Sequence, residues 1–237
     1  MDSFQNLCNM DIESSSDAKR PMCSGCLRPQ AVCWCPWLPC PKLSIKTNIL
    51  ILQHPFEEQR KIRTARILEQ ALVPEKIRVF RGRRFCEKRF PELMPILASP
   101  GAYLLYPHQD AVPADMIQYS DDSNSQLLPP PSESGRWLIV VDGTWTQARN
   151  MVCRNSVLMA LKKIRLPDNQ ATGVTEPSAF IVRRQPFVGA VSTVEAVARV
   201  LDLWEPRIPQ ANFYQTSLLR PLHQMCEVQG AWKRMFQ

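Results

Sequence analysis

The chain predicts an α/β domain built on a parallel sheet, and three observations carry that prediction. Residues 136–146 read RWLIVVDGTWT, and Trp137 to Val141 hold no charged or hydroxyl side chain, as in a strand buried on both faces. Strand-like and helix-like stretches alternate along the chain, as βαβ units require. The apolar run stops abruptly on Asp142-Gly143-Thr144-Trp145, at the carboxyl end of a strand, which is the edge of an open α/β sheet where ligands bind.

The elements follow in order. Residues 1–20 are acidic and serine-rich and read as a disordered tail. Residues 21–41 are rich in Cys and Pro and too short for a core of their own. The main domain, 45–237, opens with a strand over Ile45 to Gln53 and a helix over Glu57 to Leu72, apolar at Ile62, Ala65, Ile67, Leu68 and Leu72. Strands are expected at Ile77–Phe80 and Ala102–Tyr106. Residues 119–135, YSDDSNSQLLPPPSESG, are a low-complexity insertion expected to be a mobile surface loop. The central strand over 136–141 comes next, then a helix over Thr146 to Met151 and strands at Lys163–Leu166 and Ala179–Val182. Ser192 opens a helix running to Trp204, and Glu195 three residues on completes a capping box. The last amphipathic segment, about Gln210 to Phe236, is expected to break at Pro221.

A length of 237 residues accommodates one domain of fair size plus a small accessory module. No apolar stretch approaches the roughly 18 residues of a membrane span. The N-terminus carries Asp2, Asp11, Glu13 and Asp17 and no apolar h-region, so no secretory or mitochondrial signal is indicated and a cytoplasmic or nuclear location is expected. The net charge of +7 is unevenly placed: Arg60 to Arg89 holds 11 Lys and Arg against three Glu, a local +8, which leaves the rest of the chain at −1. A solvated helix face usually mixes signs. This segment, with Arg81-Gly82-Arg83-Arg84 at its centre, points to nucleic acid.

Four cysteines stand close together as Cys23-x2-Cys26-x6-Cys33-x-Cys35, two near pairs that can aim four sulfurs at one tetrahedral ion. Four protein ligands leave no open position, so the implied zinc is structural. Cys8 and Cys40 are possible substitute ligands, while Cys86, Cys153 and Cys226 stand alone and read as core residues. Arg28, Trp34 and Trp37 lie among the ligands and could pack or touch RNA.

Only eight glycines are present, none in a GxG arrangement, so neither a Walker loop nor a dinucleotide-binding loop is available. The three histidines, His54, His108 and His223, are not paired at metal spacing. Gln53-His54-Pro55 follows the first strand, with His54 readable as a cap or as a substrate contact. Arg183-Arg184-Gln185-Pro186 follows another strand, and a helix N-terminus at Ser192 would attract an anionic group. Asp142 itself either caps the helix after it or serves a site. These loops share one edge of one sheet.

The knuckle together with QHPFEE and RTAR (53–58 and 63–66), LLYP (104–107), DGTW (142–145), RRQP (183–186) and STVEA (192–196), in this order, resembles the DTW-domain proteins, over roughly residues 21–235. Two departures are the insertion at 119–135 and His108, which follows LLYP where a small polar residue is expected. The resemblance implies a transfer-RNA uridine aminocarboxypropyltransferase on a SPOUT-like α/β domain, with a C-terminal trefoil knot forming the S-adenosylmethionine site and the zinc module preceding it. It implies transfer of the 3-amino-3-carboxypropyl group to N3 of a uridine, with methylthioadenosine released. Asp142, Thr144 and Trp145 would be catalytic, Asp142 as base or as a ligand of the donor's amino group. Leu105, Tyr106, Pro107, Asp142, Gly143, Arg183, Arg184, Gln185, Pro186, Ser192, Thr193 and Glu195 would bind S-adenosylmethionine. His54, Arg60, Lys61, Arg63, Arg81, Arg83, Arg84 and Lys88 would contact tRNA, and Cys23, Cys26, Cys33 and Cys35 would hold zinc. No protein partner is implied. The alternatives are a SPOUT-type RNA methyltransferase and a non-catalytic zinc-containing RNA-binding protein.

Overall fold

The computed structural model describes residues 20–60, 62–117, 135–167, 190–206 and 208–235. The tail, Lys61, nearly all of the insertion, the strand expected at Ala179–Val182 and the Arg183–Pro186 motif lie outside the described residues. So does the path of 168–189, on which the expected knot depends.

Six strands form one parallel sheet: β1 (Asn48–Gln53), β2 (Ile77–Arg81), β3 (Ala102–Leu105), β4 (Val112–Pro113), β5 (Trp137–Asp142) and β6 (Lys162–Arg165), in the order β2-β1-β5-β3-β6-β4. Side-chain alternation sends Ile49, Ile51, Leu138 and Val140 to one face and Leu50, Leu52, Trp137 and Ile139 to the other. Both faces are covered, as an all-parallel sheet requires. Helices α1 (Ala65–Ala71), α5 (Thr193–Trp204) and α6 (Phe213–Met235) contribute to the first core; α2 (Met94–Leu97), α3 (Trp145–Cys153) and α4 (Ser156–Met159) contribute to the second.

Several boundaries differ from expectation for local reasons. β1 starts at Asn48 rather than Ile45 because the amides of Lys46 and Thr47 donate to the Glu205 carboxylate, at 2.7 and 2.8 Å, instead of to a neighbouring strand. The helix expected from Glu57 is confined to α1. A 3₁₀ turn over Pro55–Glu57 precedes it, and before Ala65 the stretch offers only Ile62 to an apolar face. β4 was not expected; it is a two-residue edge strand, where a proline is tolerated. Pro221 does not interrupt α6. Tyr214, Leu218, Leu222, Met225 and Cys226 continue one buried stripe past it, and that packing outweighs the ~3 kcal/mol cost of an internal proline. α5 begins as expected, with the reciprocal Ser192–Glu195 capping box in place.

The cysteine knuckle is not a free-standing module. Cys26 and Trp34 are buried in the first core cluster, Cys23, Cys33 and Cys35 pack against it, and Arg66 Nε of α1 donates to the Gly25 carbonyl at 3.1 Å. Arg28 and Trp34 are buried, which removes them as RNA contacts. Of the isolated cysteines, Cys226 is a core residue, whereas Cys86 and Cys153 are exposed. Among the described residues no helix is long and apolar enough to cross a membrane.

Candidate active site

The carboxyl edge of the three strands β2, β1 and β5 carries a line of polar side chains. Parallel register sets Arg81, Gln53 and Asp142 level with one another. Alternation then puts Gln53 and Asp142 on the face shared by Ile51 and Val140, the face that α5 covers. Asp142 is only 6% exposed, and both of its oxygens accept hydrogen bonds: Oδ2 from Gln53 Nε2 at 2.9 Å and Oδ1 from Thr193 Oγ1, at the start of α5, at 2.7 Å. Gln53 Oε1 in turn accepts from Arg81 Nε at 3.1 Å, and Arg81 Nη1 lies 3.6 Å from Glu58 Oε1. A chain of charge and dipole therefore runs from the surface cation to the buried carboxylate.

Asp142 is not the helix cap. Thr144 is the N-cap of α3: its Oγ1 accepts from the Gln147 amide at 3.2 Å, while Gln147 Oε1 accepts from the Thr144 amide at 2.8 Å. The carboxylate is thus left for another use. Gly143 permits the tight exit from β5, since a Cβ there would stand 3.2 Å from Gln147 Cβ and 3.4 Å from His54 Cβ. Trp145 is half-buried at the first position of α3.

His54 is drawn to the same point, its amide donating to the Asp142 carbonyl at 2.8 Å. The imidazole is buried and caps the following 3₁₀ turn, Nδ1 accepting from the Phe56 amide at 3.2 Å. Burial, and then the charges of Arg83 and Arg60, push its pKa below the ordinary value, so the ring is neutral at pH 7.

The other expected donor-binding residues divide. Ser192 and Glu195 satisfy each other in the capping box, Ser192 N to Glu195 Oε2 at 2.7 Å, whereas Thr193 reaches Asp142. Leu105 is level with Val140, so Tyr106 and Pro107 follow at the same edge, one strand beyond β5. Burial raises the Tyr106 phenol above its ordinary pKa.

The basic segment also divides. Arg60 pairs with buried Glu57 at 2.9 Å, and Arg66 ties the knuckle to α1 while pairing with Glu69 at 2.8 Å. Arg63 is half-buried. Arg81, Arg83, Arg84 and Lys88 are exposed, along with Arg89. Buried Asn155, after α3, fixes their loop: Oδ1 accepts from the Phe85 amide at 2.7 Å and Nδ2 donates to the Arg83 carbonyl at 3.0 Å.

At the knuckle the four sulfurs of Cys23, Cys26, Cys33 and Cys35 lie within 4.8 Å of one another. Cys23–Cys35 and Cys26–Cys33 are separated by 3.7 and 3.6 Å. A zinc ion with Zn–S bonds of about 2.3 Å gives tetrahedral edges near 3.8 Å, so the donor set fits that metal. The spacings are far beyond the roughly 2.05 Å of a disulfide. Hydrogen bonding, chiefly from the Cys26 backbone, lowers the Cys23 thiol to about 6, while burial raises Cys33 and Cys35. Arg28 is buried near Cys26 and Cys33, and its Nη1 has no hydrogen-bond partner among the described residues, as suits a cation facing metal-bound thiolates. Gly25 leaves room for the cluster: a Cβ there would stand 3.0 Å from Cys35 Sγ, so that sulfur would have to shift. Cys40 is exposed and outside the cluster.

Comparison with known proteins bears on this geometry. The DTW domain family matches residues 20–230. The chain belongs to the DTW-domain family. It is 36% identical over 219 residues to tRNA-uridine aminocarboxypropyltransferase 2 of Drosophila melanogaster, covering 92% of this chain and 78% of that protein. It is 36% identical over 228 residues to the protein of the same name from Macaca fascicularis (96% and 69%). It is 30% identical over 212 residues to tRNA-uridine aminocarboxypropyltransferase A of Arabidopsis thaliana (83% and 77%). No solved structure matches the chain.

In this DTW-domain protein, Gln53, Asn155, Gln147 and Phe56 take part in this hydrogen-bonded geometry, and reading the sequence alone assigned none of them a role. Gln53 had a usable signal: it ends its strand as Asp142 ends its own, and parallel pairing of two strand ends sets them level. Asn155 had none, since its bonds span 70 residues or more to the basic loop.

Proposed function

We propose that the protein transfers the 3-amino-3-carboxypropyl group of S-adenosylmethionine to N3 of a uridine in tRNA, releasing methylthioadenosine. The observation that carries this reading is the buried Asp142 carboxylate at the carboxyl edge of a parallel sheet, free of any capping duty and adjoining a surface of exposed cations. The names of the relatives supply the substrate and reaction class. RNA binding alone would not require that acid, because burying a carboxylate costs desolvation.

The chemistry needs the uracil N3 proton removed and the donor's γ-carbon, rather than its methyl, presented to nitrogen. The carbon–sulfur bond to the aminocarboxypropyl chain breaks as the N3–carbon bond forms, and sulfur leaves with the bonding pair as the thioether. Each Asp142 oxygen retains a lone pair beyond the hydrogen bond it accepts, and we assign Asp142 to take the N3 proton. General-base help of this kind is worth about 10²–10⁴-fold. A second assignment has an observation in its favour: Gln53 and Thr193 hold the carboxylate from both sides, as a ligand for the donor's ammonium group has to be held. Thr144, with its oxygen engaged as a cap, keeps its hydroxyl proton for a developing charge on uracil, and Arg183 and Arg184 are assigned the same duty.

The scaffold is read as SPOUT-like with a C-terminal knot, and the four cysteines as a structural zinc site that holds residues 21–41 against the main core. Exposed Arg81, Arg83, Arg84 and Lys88 are assigned to the tRNA backbone, and the cell compartment to cytoplasm or nucleus. Incubating purified protein with tRNA and S-adenosylmethionine, then digesting to nucleosides for mass spectrometry, tests the reading. An aminocarboxypropyl-uridine with methylthioadenosine is expected; a methylated nucleoside with S-adenosylhomocysteine would replace it by a methyltransferase.

A further inference from the structure

We propose that the ring of Phe56 is a stacking platform for an unpaired nucleobase of the substrate RNA, beside the Asp142 site. The proposal rests on the reading that the substrate is RNA. Phe56 is 53% exposed, a large apolar ring left in water at the edge of the site. The chain holds it in place. Pro55 precedes it in a 3₁₀ turn, the Phe56 amide donates to His54 Nδ1 at 3.2 Å, and the His54 and Phe56 rings stand edge to face with centroids 5.1 Å apart. A ring so fixed loses little freedom when it binds, which is the advantage of preorganisation.

The surroundings say what would bind. The Arg83 guanidinium lies over the Phe56 ring, 4.8 Å from its centroid, and the Arg83 backbone is itself pinned by buried Asn155. Arg81, Arg84, Lys88 and Arg89 are exposed nearby in sequence and carry the same charge. Arg83 takes one face of the ring, so a splayed-out base would stack on the part of Phe56 left exposed, with its phosphates on the neighbouring cations, which is how unpaired RNA is bound. The location fits as well: His54, two residues before Phe56, follows Gln53 and donates its amide to the Asp142 carbonyl at 2.8 Å. The base on the platform would therefore be the target uridine or one flanking it. An acidic protein segment could meet the cations but would gain nothing specific from a π-face.

The test uses the full chain and tRNA, with affinity measured across a salt series. Phe56→Ala and Phe56→Leu should each weaken tRNA binding by roughly 5- to 100-fold, whereas Phe56→Tyr and Phe56→Trp should bind as wild type does. The salt slope should stay unchanged in all four, because no charge is removed. The indole introduced by Phe56→Trp should lose fluorescence on tRNA binding, beyond any change in wild type. Phe56→Leu binding as tightly as wild type, or an unquenched indole in Phe56→Trp, overturns the platform. Wild-type protein that binds no tRNA at any salt overturns the RNA reading itself, so the two failures are told apart.

Discussion

Gln53 and Asp142 are register partners across β1 and β5, and Gln53 Nε2 donates to Asp142 Oδ2 at 2.9 Å while its own Oε1 accepts from Arg81 at 3.1 Å. The amide can be oriented only one way between a guanidinium and a carboxylate. It therefore holds Asp142 in one rotamer and ties the basic edge of β2 to the acid of β5.

Gln53→Leu keeps the volume and removes both bonds. Because Asp142 is 6% exposed, the carboxylate oxygen that Gln53 leaves behind is desolvated, whereas exposed Arg81 turns to water, and the loss should be about 1–3 kcal/mol of stability by urea denaturation. Transfer activity should fall with the loosened Asp142 while the salt slope of tRNA binding holds. A variant as stable and active as wild type would remove Gln53 from the site.

The cysteine cluster predicts about one zinc per chain, since four thiolates close one tetrahedron. Cys26→Ser, or a chelator, should release that metal. Because Cys26 and Trp34 belong to the same core as α1 and α6, the effect should reach beyond the knuckle. The melting temperature of the whole domain should drop and Trp34 should become accessible to a fluorescence quencher. Metal-free purified protein that melts as usual would refute the assignment.

The exposed and the engaged arginines should behave differently. Arg83→Gln should lower the salt slope of tRNA binding by about 0.7–0.9, the share of one phosphate contact. Arg66→Gln should leave that slope unchanged, since Arg66 is occupied with the Gly25 carbonyl and Glu69, and should instead destabilise the knuckle. Equal slopes for Arg83→Gln and wild type would move the RNA surface away from β2.

How far the sequence was readable follows from the range of the forces involved. The apolar run at Trp137–Val141 and the Ser192–Glu195 box are local signals, and both elements appear where expected. The four-cysteine spacing is equally local. What failed was set by distant partners: Glu205 capturing the Lys46 and Thr47 amides shortens β1, and the buried stripe of α6 carries the helix through Pro221. The site was legible in part for the same reason. Asp142 stands out in its own strand, but its partners Gln53 and Thr193 are 89 and 51 residues away.

Asp142→Asn separates the roles open to the carboxylate. Thr144, not Asp142, caps α3, so the substitution removes no cap and folding should survive it. Asn is nearly isosteric: its Oδ1 can accept from Gln53 Nε2 as Asp142 does, and its Nδ2 can donate to the Thr193 hydroxyl, which accepts as well as donates, so both anchors can survive the substitution. If Asp142 takes the N3 proton, S-adenosylmethionine and tRNA should bind near wild-type affinity while single-turnover transfer falls by about 10²-fold or more. If Asp142 instead holds the donor's ammonium group, S-adenosylmethionine affinity should fall by about 1.5–3 kcal/mol, the worth of a hydrogen bond to a charged group, with tRNA affinity unchanged. Calorimetric titration of S-adenosylmethionine and a single-turnover assay on the same preparation distinguish the two. Wild-type transfer rate together with wild-type donor affinity would leave the buried acid with a structural role alone, as the anchor between β1 and α5.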